Sequence, residues 1–341
     1  MPCTVLVGGF WGDEGKGKII SHLAYRNQIS ICVRGGVGPN AGHTVQVGEK
    51  TYKVRMLPSA FPKEDARLLV GAGVLVNPQI LLSEIEATGT KDRVGVDSQC
   101  AIIEEKHIQA DKASGHLSKK IGTTGTGTGP CNMDRVQRTV KIAKEVPELE
   151  KYITDVSGEV NDALDAGKQV LVEGTQGTFL SLYHGSYPFC TSKDITASSI
   201  CGDVGIGPTC VDEVVIVFKA YVTRVGEGFL PGLLSEEETK RRGWVEFGAV
   251  TRRPRRAAPF NFDLARRAVK LNGATQIALT KLDVVYPDCK GARDFNQLSD
   301  EAKGFVRKIE EEVGVPVTLI GTGPEVNEII ALERTGKPVS R

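Results

Sequence analysis

Residues 8–18 read GGFWGDEGKGK, and this stretch constrains the fold more than any other. A short apolar run, Thr4-Val5-Leu6-Val7, precedes it, and Ile19-Ile20-Ser21-His22-Leu23-Ala24-Tyr25 follows with helical spacing. Strand, glycine-rich turn and helix in that order aim backbone N–H groups and a positive helix end at phosphate. Gly12, Gly17 and Lys18 fit the phosphate-loop frame of glycine, four residues, glycine, lysine, but Ile19 stands where that motif places a magnesium-holding Ser or Thr. A magnesium ligand must then come from elsewhere, and Asp13, inside the loop, is the candidate. The alternative is a plain glycine-rich turn. Two acids and two lysines among the glycines argue against it.

The same pattern recurs along the chain. Apolar, β-branched runs at 29–33, 68–76, 169–172, 214–218, 276–280 and 315–320 are separated by helical patterns such as 78–86, 156–166, 262–271 and 300–313. Apolar strands alternating with helices predict an α/β fold: a mainly parallel central sheet with helices on both faces. No repeat or low-complexity linker divides the 341 residues, so one domain with long functional loops is expected over 1–341. Lys+Arg 43 against Asp+Glu 42 gives no general reason to expect nucleic-acid or membrane binding. The absence of a long apolar run, a signal-peptide pattern and CxxC spacing among the eight cysteines points to a cytoplasmic protein with reduced thiols.

Several polar clusters follow the predicted strands, where ligands of open parallel sheets gather. In Arg34-Gly35-Gly36-Val37-Gly38-Pro39-Asn40-Ala41-Gly42-His43-Thr44, four glycines let backbone approach a ligand, and His43 can hydrogen-bond or protonate a reacting oxygen near neutral pH. Thr123-Thr124-Gly125-Thr126-Gly127-Thr128 offers hydroxyls and N–H groups to an anion, although a flexible loop would read the same way. Glu173-Gly174-Thr175-Gln176 and the segment holding Thr191 complete the set. Arg252, Arg253, Arg255 and Arg256 place four arginines in five positions. Balanced net charge and the lack of interleaved aromatics disfavour nucleic acid, whereas arginine forks suit a dianionic small substrate.

Thr280-Lys281-Leu282-Asp283 is close to the guanine-reading tetrapeptide of GTP-binding proteins, in which Asn commonly stands at the Thr280 position. A carboxylate at Asp283 can accept from both N1–H and the 2-amino group of guanine. Gly321-Thr322-Gly323-Pro324 could complete a base pocket.

GDEGKGK, NAGHT, IGTTGxGxGP, EGTQG, YPFxTS, the arginine-rich loop, TKLD and a terminal TGP occur here in one order, from about Val5 to Pro324. In this the chain resembles the adenylosuccinate synthetase family, most closely its shorter, archaeal-type members. The resemblance implies a GTP-dependent ligase that joins IMP to L-aspartate through a 6-phosphoryl intermediate, releasing adenylosuccinate, GDP and phosphate. It implies Asp13 as the base that takes the N1 proton of IMP and His43 as the group stabilising the reacting oxygen. It implies Mg²⁺ held by Asp13 and the Gly42 carbonyl. GTP contacts would come from Gly12, Asp13, Glu14, Gly15, Lys16, Gly17, Lys18, Gly42, His43, Thr44, Arg255, Lys281, Leu282, Asp283, Gly321, Thr322 and Gly323, with Lys16 and Lys18 beside the phosphates. IMP contacts would come from Asp13, Glu14, Gly15, Lys16, Asn40, Ala41, Gly42, His43, Thr124, Gln176, Thr191 and Arg253, and from Arg138 of a neighbouring subunit in a homodimer. Thr251, Arg253 and Arg255 match the aspartate-binding loop.

Two stretches depart from the family pattern. Arg252 stands where a glycine is common, which could stiffen the loop over aspartate. Residues 226–232, GEGFLPG, differ from the usual GxGPFPT. A related ligase acting on GMP or dGMP, a regulatory GTPase and a nucleotide kinase remain alternatives. The last two leave the arginine loop without a purpose.

Overall fold

The computed structural model of the chain describes residues 2–248 and 253–332. Ten strands form one sheet: β1 (Cys3–Gly8), β2 (Ile31–Arg34), β3 (Arg67–Val70), β4 (Val94–Asp97), β5 (Ile153–Thr154), β6 (Val170–Glu173), β7 (Glu213–Lys219), β8 (Gln276–Thr280), β9 (Val317–Gly321) and β10 (Ile329–Ala331). Their spatial order is β10-β9-β8-β7-β1-β6-β2-β3-β4-β5. Every neighbouring pair is parallel except β9 with β10. The expected α/β architecture is therefore present, with one antiparallel edge strand.

Side-chain alternation along each strand divides the core between two faces. Cys3, Val5 and Val7 of β1 point into one apolar layer and Leu6 into the other. The first layer is closed by helices Val156–Asp165, Phe262–Asn272 and Asp300–Val313, through residues such as Val160, Ala268 and Val306. Helices Lys16–Arg26 and Pro78–Thr88 close the second, through Ile20, Leu23, Leu81 and Ile85. These helices start and stop where local chemistry requires. Asn77, Asn261 and Ser299 each accept from a backbone N–H of the first turn, and Gly89, Gly273 and Gly314 end the same helices in the left-handed conformation.

One expected strand is broken, and Val94–Asp97, Ile153–Thr154 and Ile329–Ala331 join the sheet without being among the expected runs. The apolar run 68–76 is not a single strand: β3 ends at Val70, and a two-residue strand, Leu75–Val76, follows a turn at 71–73. The Asp203 side chain presses on this turn and fills the space a Cβ would need at Gly73.

Because the sheet is parallel, the loops leaving β1, β2, β6 and β8 emerge at one edge. The glycine-rich loop runs from the end of β1 into helix Lys16–Arg26, as the sequence predicts.

Candidate active site

These loops enclose a cavity of about 750 Å³. Among the anticipated residues, Gly12, Asp13, Gly15, Lys16, Gly17, Asn40, Gly42, His43, Thr44, Thr124, Gln176, Thr191, Arg253, Arg255 and Lys281 line it. Segments far apart in sequence thus meet at one place.

The first loop is held from within. Glu14 lies beneath it, with Oε1 accepting from the backbone N–H groups of Phe10 at 3.0 Å and Gly12 at 2.7 Å. Its other oxygen is 2.8 Å from Lys16 Nζ, and Lys16 also donates to the Gln176 carbonyl. Thr280 Oγ1 donates to the Glu14 carbonyl at 2.5 Å, so the tetrapeptide after β8 is fastened to the loop after β1. Asp13 sits at φ 62° between Gly12 at φ 87° and the left-handed Gly15. Such a conformation is uncommon outside glycine and costs of order 1–3 kcal/mol, which makes it a pointer to function. Arg138, Gln176 and Lys281 share it, and Gln28 is the only other non-glycine example among the described residues.

His43 begins a strand, His43–Val47, and its Nδ1 faces the buried Glu173 carboxylate in a close pair. Arg34 Nη1 lies 2.6 Å from the same Glu173 oxygen and 2.8 Å from His43 Nδ1. Ser59 adds its hydroxyl at 2.6 Å and its N–H at 2.7 Å to Glu173. Burial alone would raise the Glu173 pKa, but Arg34 and His43 outweigh it and hold the carboxyl at about 2. Burial, then Arg34, lowers His43 to about 4 against the pull of Glu173. At neutral pH the ring is uncharged, and its orientation is fixed from behind.

A second ionic chain borders the cavity. Arg255 Nη2 is 2.9 Å from Asp13 Oδ2, and Arg255 Nη1 pairs closely with Glu246. Lys219 Nζ meets Glu246 at 2.9 Å, and the Tyr221 hydroxyl donates to the same carboxylate. Loss of water raises the Asp13 pKa, with Arg255, Lys219 and Lys16 acting in the opposite direction. Asn40 Nδ2 donates to Thr191 Oγ1 at 3.2 Å, while Asn40 Oδ1 and Gln176 Nε2 are buried without a partner. Arg253 Nη2 donates to the Gly122 carbonyl at 2.7 Å.

The remaining anticipated residues lie elsewhere. Lys18 donates to the carbonyls of Gly323 and Glu328, away from the cavity wall. Leu282 is a core residue, Ala41 is buried, and Thr322 donates through its hydroxyl to Ala292. Asp283 Oδ1 is buried with no partner. Arg138 is exposed at the end of helix Thr128–Gln137. Thr251 and Arg252 lie outside the described residues. Arg256, part of the basic run, donates to the Gly226 and Gly228 carbonyls and so pins the neighbouring turn. Reasoning from the sequence missed Arg34, Ser59, Lys219 and Glu246 as partners of the site. It read Glu173 only as one polar residue after a strand.

Comparison with known proteins gives one family. The adenylosuccinate synthetase family profile matches residues 5–146 and 139–288. An adenylosuccinate synthetase of Methanocaldococcus jannaschii is 57% identical over 335 residues, covering 97% of each chain. That of Archaeoglobus fulgidus is 54% identical, covering 98% of this chain and 99% of the other. Among solved structures, fully ligated adenylosuccinate synthetase from Plasmodium falciparum superposes with a TM-score of 0.91 at 25% identity, covering 97% of this chain and 99% of that one. A succinoaminodeoxyadenylate synthetase of cyanophage S-2L shares the fold, with a TM-score of 0.81 at 22% identity over 97% of this chain and 95% of its own. The chain belongs to the adenylosuccinate synthetase family.

Proposed function

We propose that the cavity at the carboxyl ends of β1, β2, β6 and β8 is where this enzyme carries out its family's reaction, with Asp13 and His43 as the catalytic pair. The family activity is GTP-dependent ligation of IMP and L-aspartate in AMP biosynthesis. The observation that carries the assignment is the meeting of Asp13 and His43, from separate loops, in one cavity lined also by Asn40 and Gln176, whose Oδ1 and Nε2 atoms are buried without a partner.

Asp13 would accept the N1 proton of IMP, leaving O6 free to attack the γ-phosphorus of GTP as GDP departs. A carboxylate held in place by its loop and by Arg255 suits a positioned general base. His43, neutral and braced by Glu173 and Arg34, would steady charge on O6 and the moving phosphoryl group. Positioning and charge neutralisation carry this kind of transfer. The aspartate amine then forms the bond to C6, and phosphate leaves with the former O6. Arg253 and Arg255, with Thr251, would hold the carboxylates of aspartate. Lys16, Gly15, Gly17 and Thr44 would face the GTP phosphates, Lys281 and Asp283 the guanine.

Magnesium fits the donor set. No group of three His, Cys, Asp or Glu that could hold a metal occurs among the described residues. Asp13 with the Gly42 carbonyl would instead supply two hard oxygens, and Mg²⁺ commonly takes one or two carboxylates plus substrate phosphates. When bound, the ion would neutralise charge on the transferring phosphates. We further propose a homodimer in which Arg138 reaches the partner's IMP phosphate, since this arginine is exposed and is not among the residues that line its own cavity. Among the described residues no helix is long and apolar enough to cross a membrane, and we place the enzyme in the cytoplasm.

The test is phosphate release from GTP and Mg²⁺ with neither, one or both of IMP and L-aspartate. Sustained release is expected only with both. Equal release without them would make the protein a GTPase and sink the reading.

A further inference from the structure

The lysine that completes the phosphate-loop frame is turned away from the cavity. Lys18 is buried, and its Nζ donates to the carbonyl oxygens of Gly323 at 2.6 Å and Glu328 at 2.7 Å. A Cβ at Gly321 would lie 3.4 Å from the same ammonium, so the backbone at the end of β9 closes directly over it. That segment is tied within itself by Thr322 N–H to the Glu328 carbonyl at 2.9 Å and Glu325 N–H to the Glu328 carboxylate at 2.9 Å, and outward by Gly291 N–H to the Thr322 carbonyl at 2.8 Å and Arg293 to the Asn327 carbonyl at 2.6 Å. Lys18 ties Gly323 and Glu328 to helix Lys16–Arg26, from which His22 also reaches the Val326 backbone. An ammonium has three donors and no acceptor, and two carbonyls turned inward on it form a fixed joint. The same Gly321 Cβ would lie 3.4 Å from Thr280 Cα, the first residue of the tetrapeptide that ends in Asp283, and β8 and β9 pair at Leu279 and Ile320, which brings this segment to the proposed base-reading carboxylate.

We propose that Lys18 is a positioning residue for the guanine base, not a phosphate contact. It fastens residues 321–328 to the first helix and thereby fixes them beside Asp283. Base selection then depends on a residue that touches no part of the nucleotide. The inference rests on the assignment of Asp283 to the guanine edge.

GTP and ITP differ only in the 2-amino group, so their ratio of kcat/KM reads base positioning and is blind to phosphate contacts. The ratio is measured for the wild type, Lys18→Met and Lys18→Arg, each checked for folding by thermal melting. Lys18→Met is expected to lower the GTP-to-ITP ratio by about tenfold or more, the usual worth of a charge-assisted hydrogen bond. Lys18→Arg keeps a cation within reach of both carbonyls and is expected to retain most of the ratio. An equal loss on both nucleotides, with the ratio unchanged, is what a phosphate-contacting lysine would give, and it overturns the proposal. A wild type that uses ITP as well as GTP would instead refute the Asp283 assignment, and the inference with it. Should Lys18→Met not fold, Lys18→Gln, which keeps a shorter neutral donor, carries the same comparison.

Discussion

The guanidinium of Arg255 stands 2.9 Å from the carboxylate of Asp13 and so joins the arginine segment to the phosphate loop. Glu246 grips the other side of the same guanidinium, and Lys219 holds Glu246. Asp13 is therefore reached by Arg255, one of the arginines proposed to hold aspartate, as well as by its own loop. One carboxylate at the junction of three proposed subsites is placed to serve as both base and metal ligand.

Replacing Asp13 with Asn keeps the shape and removes the basic oxygen. Steady-state turnover should fall roughly 10²–10⁴-fold, the usual contribution of a positioned general base. The loss of a magnesium ligand would add to this. Near-normal kcat in Asp13→Asn would refute both roles.

Glu173→Gln tests the brace behind His43. Removing one partner of a buried ion pair costs roughly 3–5 kcal/mol, because the Arg34 charge is left uncompensated. The pH dependence has a definite sign. Folding lowers the Glu173 pKa from 4.5 to about 2, so its stabilising contribution is complete above 4.5 and is lost as pH falls toward 2. Urea unfolding across that window should show a flatter acid limb in Glu173→Gln than in the wild type. Identical midpoints at every pH would show that the pair contributes nothing.

Asp283→Asn turns an acceptor into a donor where guanine presents its amino group. Use of GTP should weaken and use of XTP, with its 2-oxo group, should improve. Competition kinetics between the two nucleotides measure this, and an unaltered preference would remove Asp283 from the base pocket.

Arg138→Leu should cost on the order of 1.5–3 kcal/mol in IMP binding, the usual worth of a charged hydrogen bond. Mixed with Asp13→Ala, it should regain activity, because each heterodimer then has one site with both residues intact. Verified heterodimers without recovery would place Arg138 in its own subunit's affairs.

Much of this site is legible in the sequence because its loops are local objects. Glycine spacing, the strand before and the helix after are all written within residues 4–25, and the loop at 34–44 carries the same kind of signal. What is not legible depends on which strands become neighbours. Glu173 and Arg34 are direct partners in the register of β6 with β2, and that pairing places a carboxylate behind His43. Lys219 is likewise opposite Thr280 across β7 and β8, beside the loop it helps to brace. No periodicity within either segment announces these pairings. Lys18 fails for a different reason: a motif gives a residue's place in the chain, while burial decides where its ammonium points. At Asp13, Arg138, Gln176 and Lys281 the left-handed backbone is equally silent in sequence, since none of them is a glycine.

The most direct test of the central claim is the identity of the ligation product. IMP has no 2-substituent, whereas GMP and dGMP carry an amino group close to N1, the atom Asp13 must reach. A misfit at the reacting centre can cost about 10²-fold through lost attack geometry. The purified enzyme is given GTP, Mg²⁺ and L-aspartate with IMP, GMP or dGMP in separate reactions, and initial rates are followed by mass spectrometry of the products. Adenylosuccinate from IMP should form far faster than any 2-amino succinyl nucleotide. Faster formation of the 2-amino product would contradict the assignment of IMP to the cavity that Asp13 and His43 share.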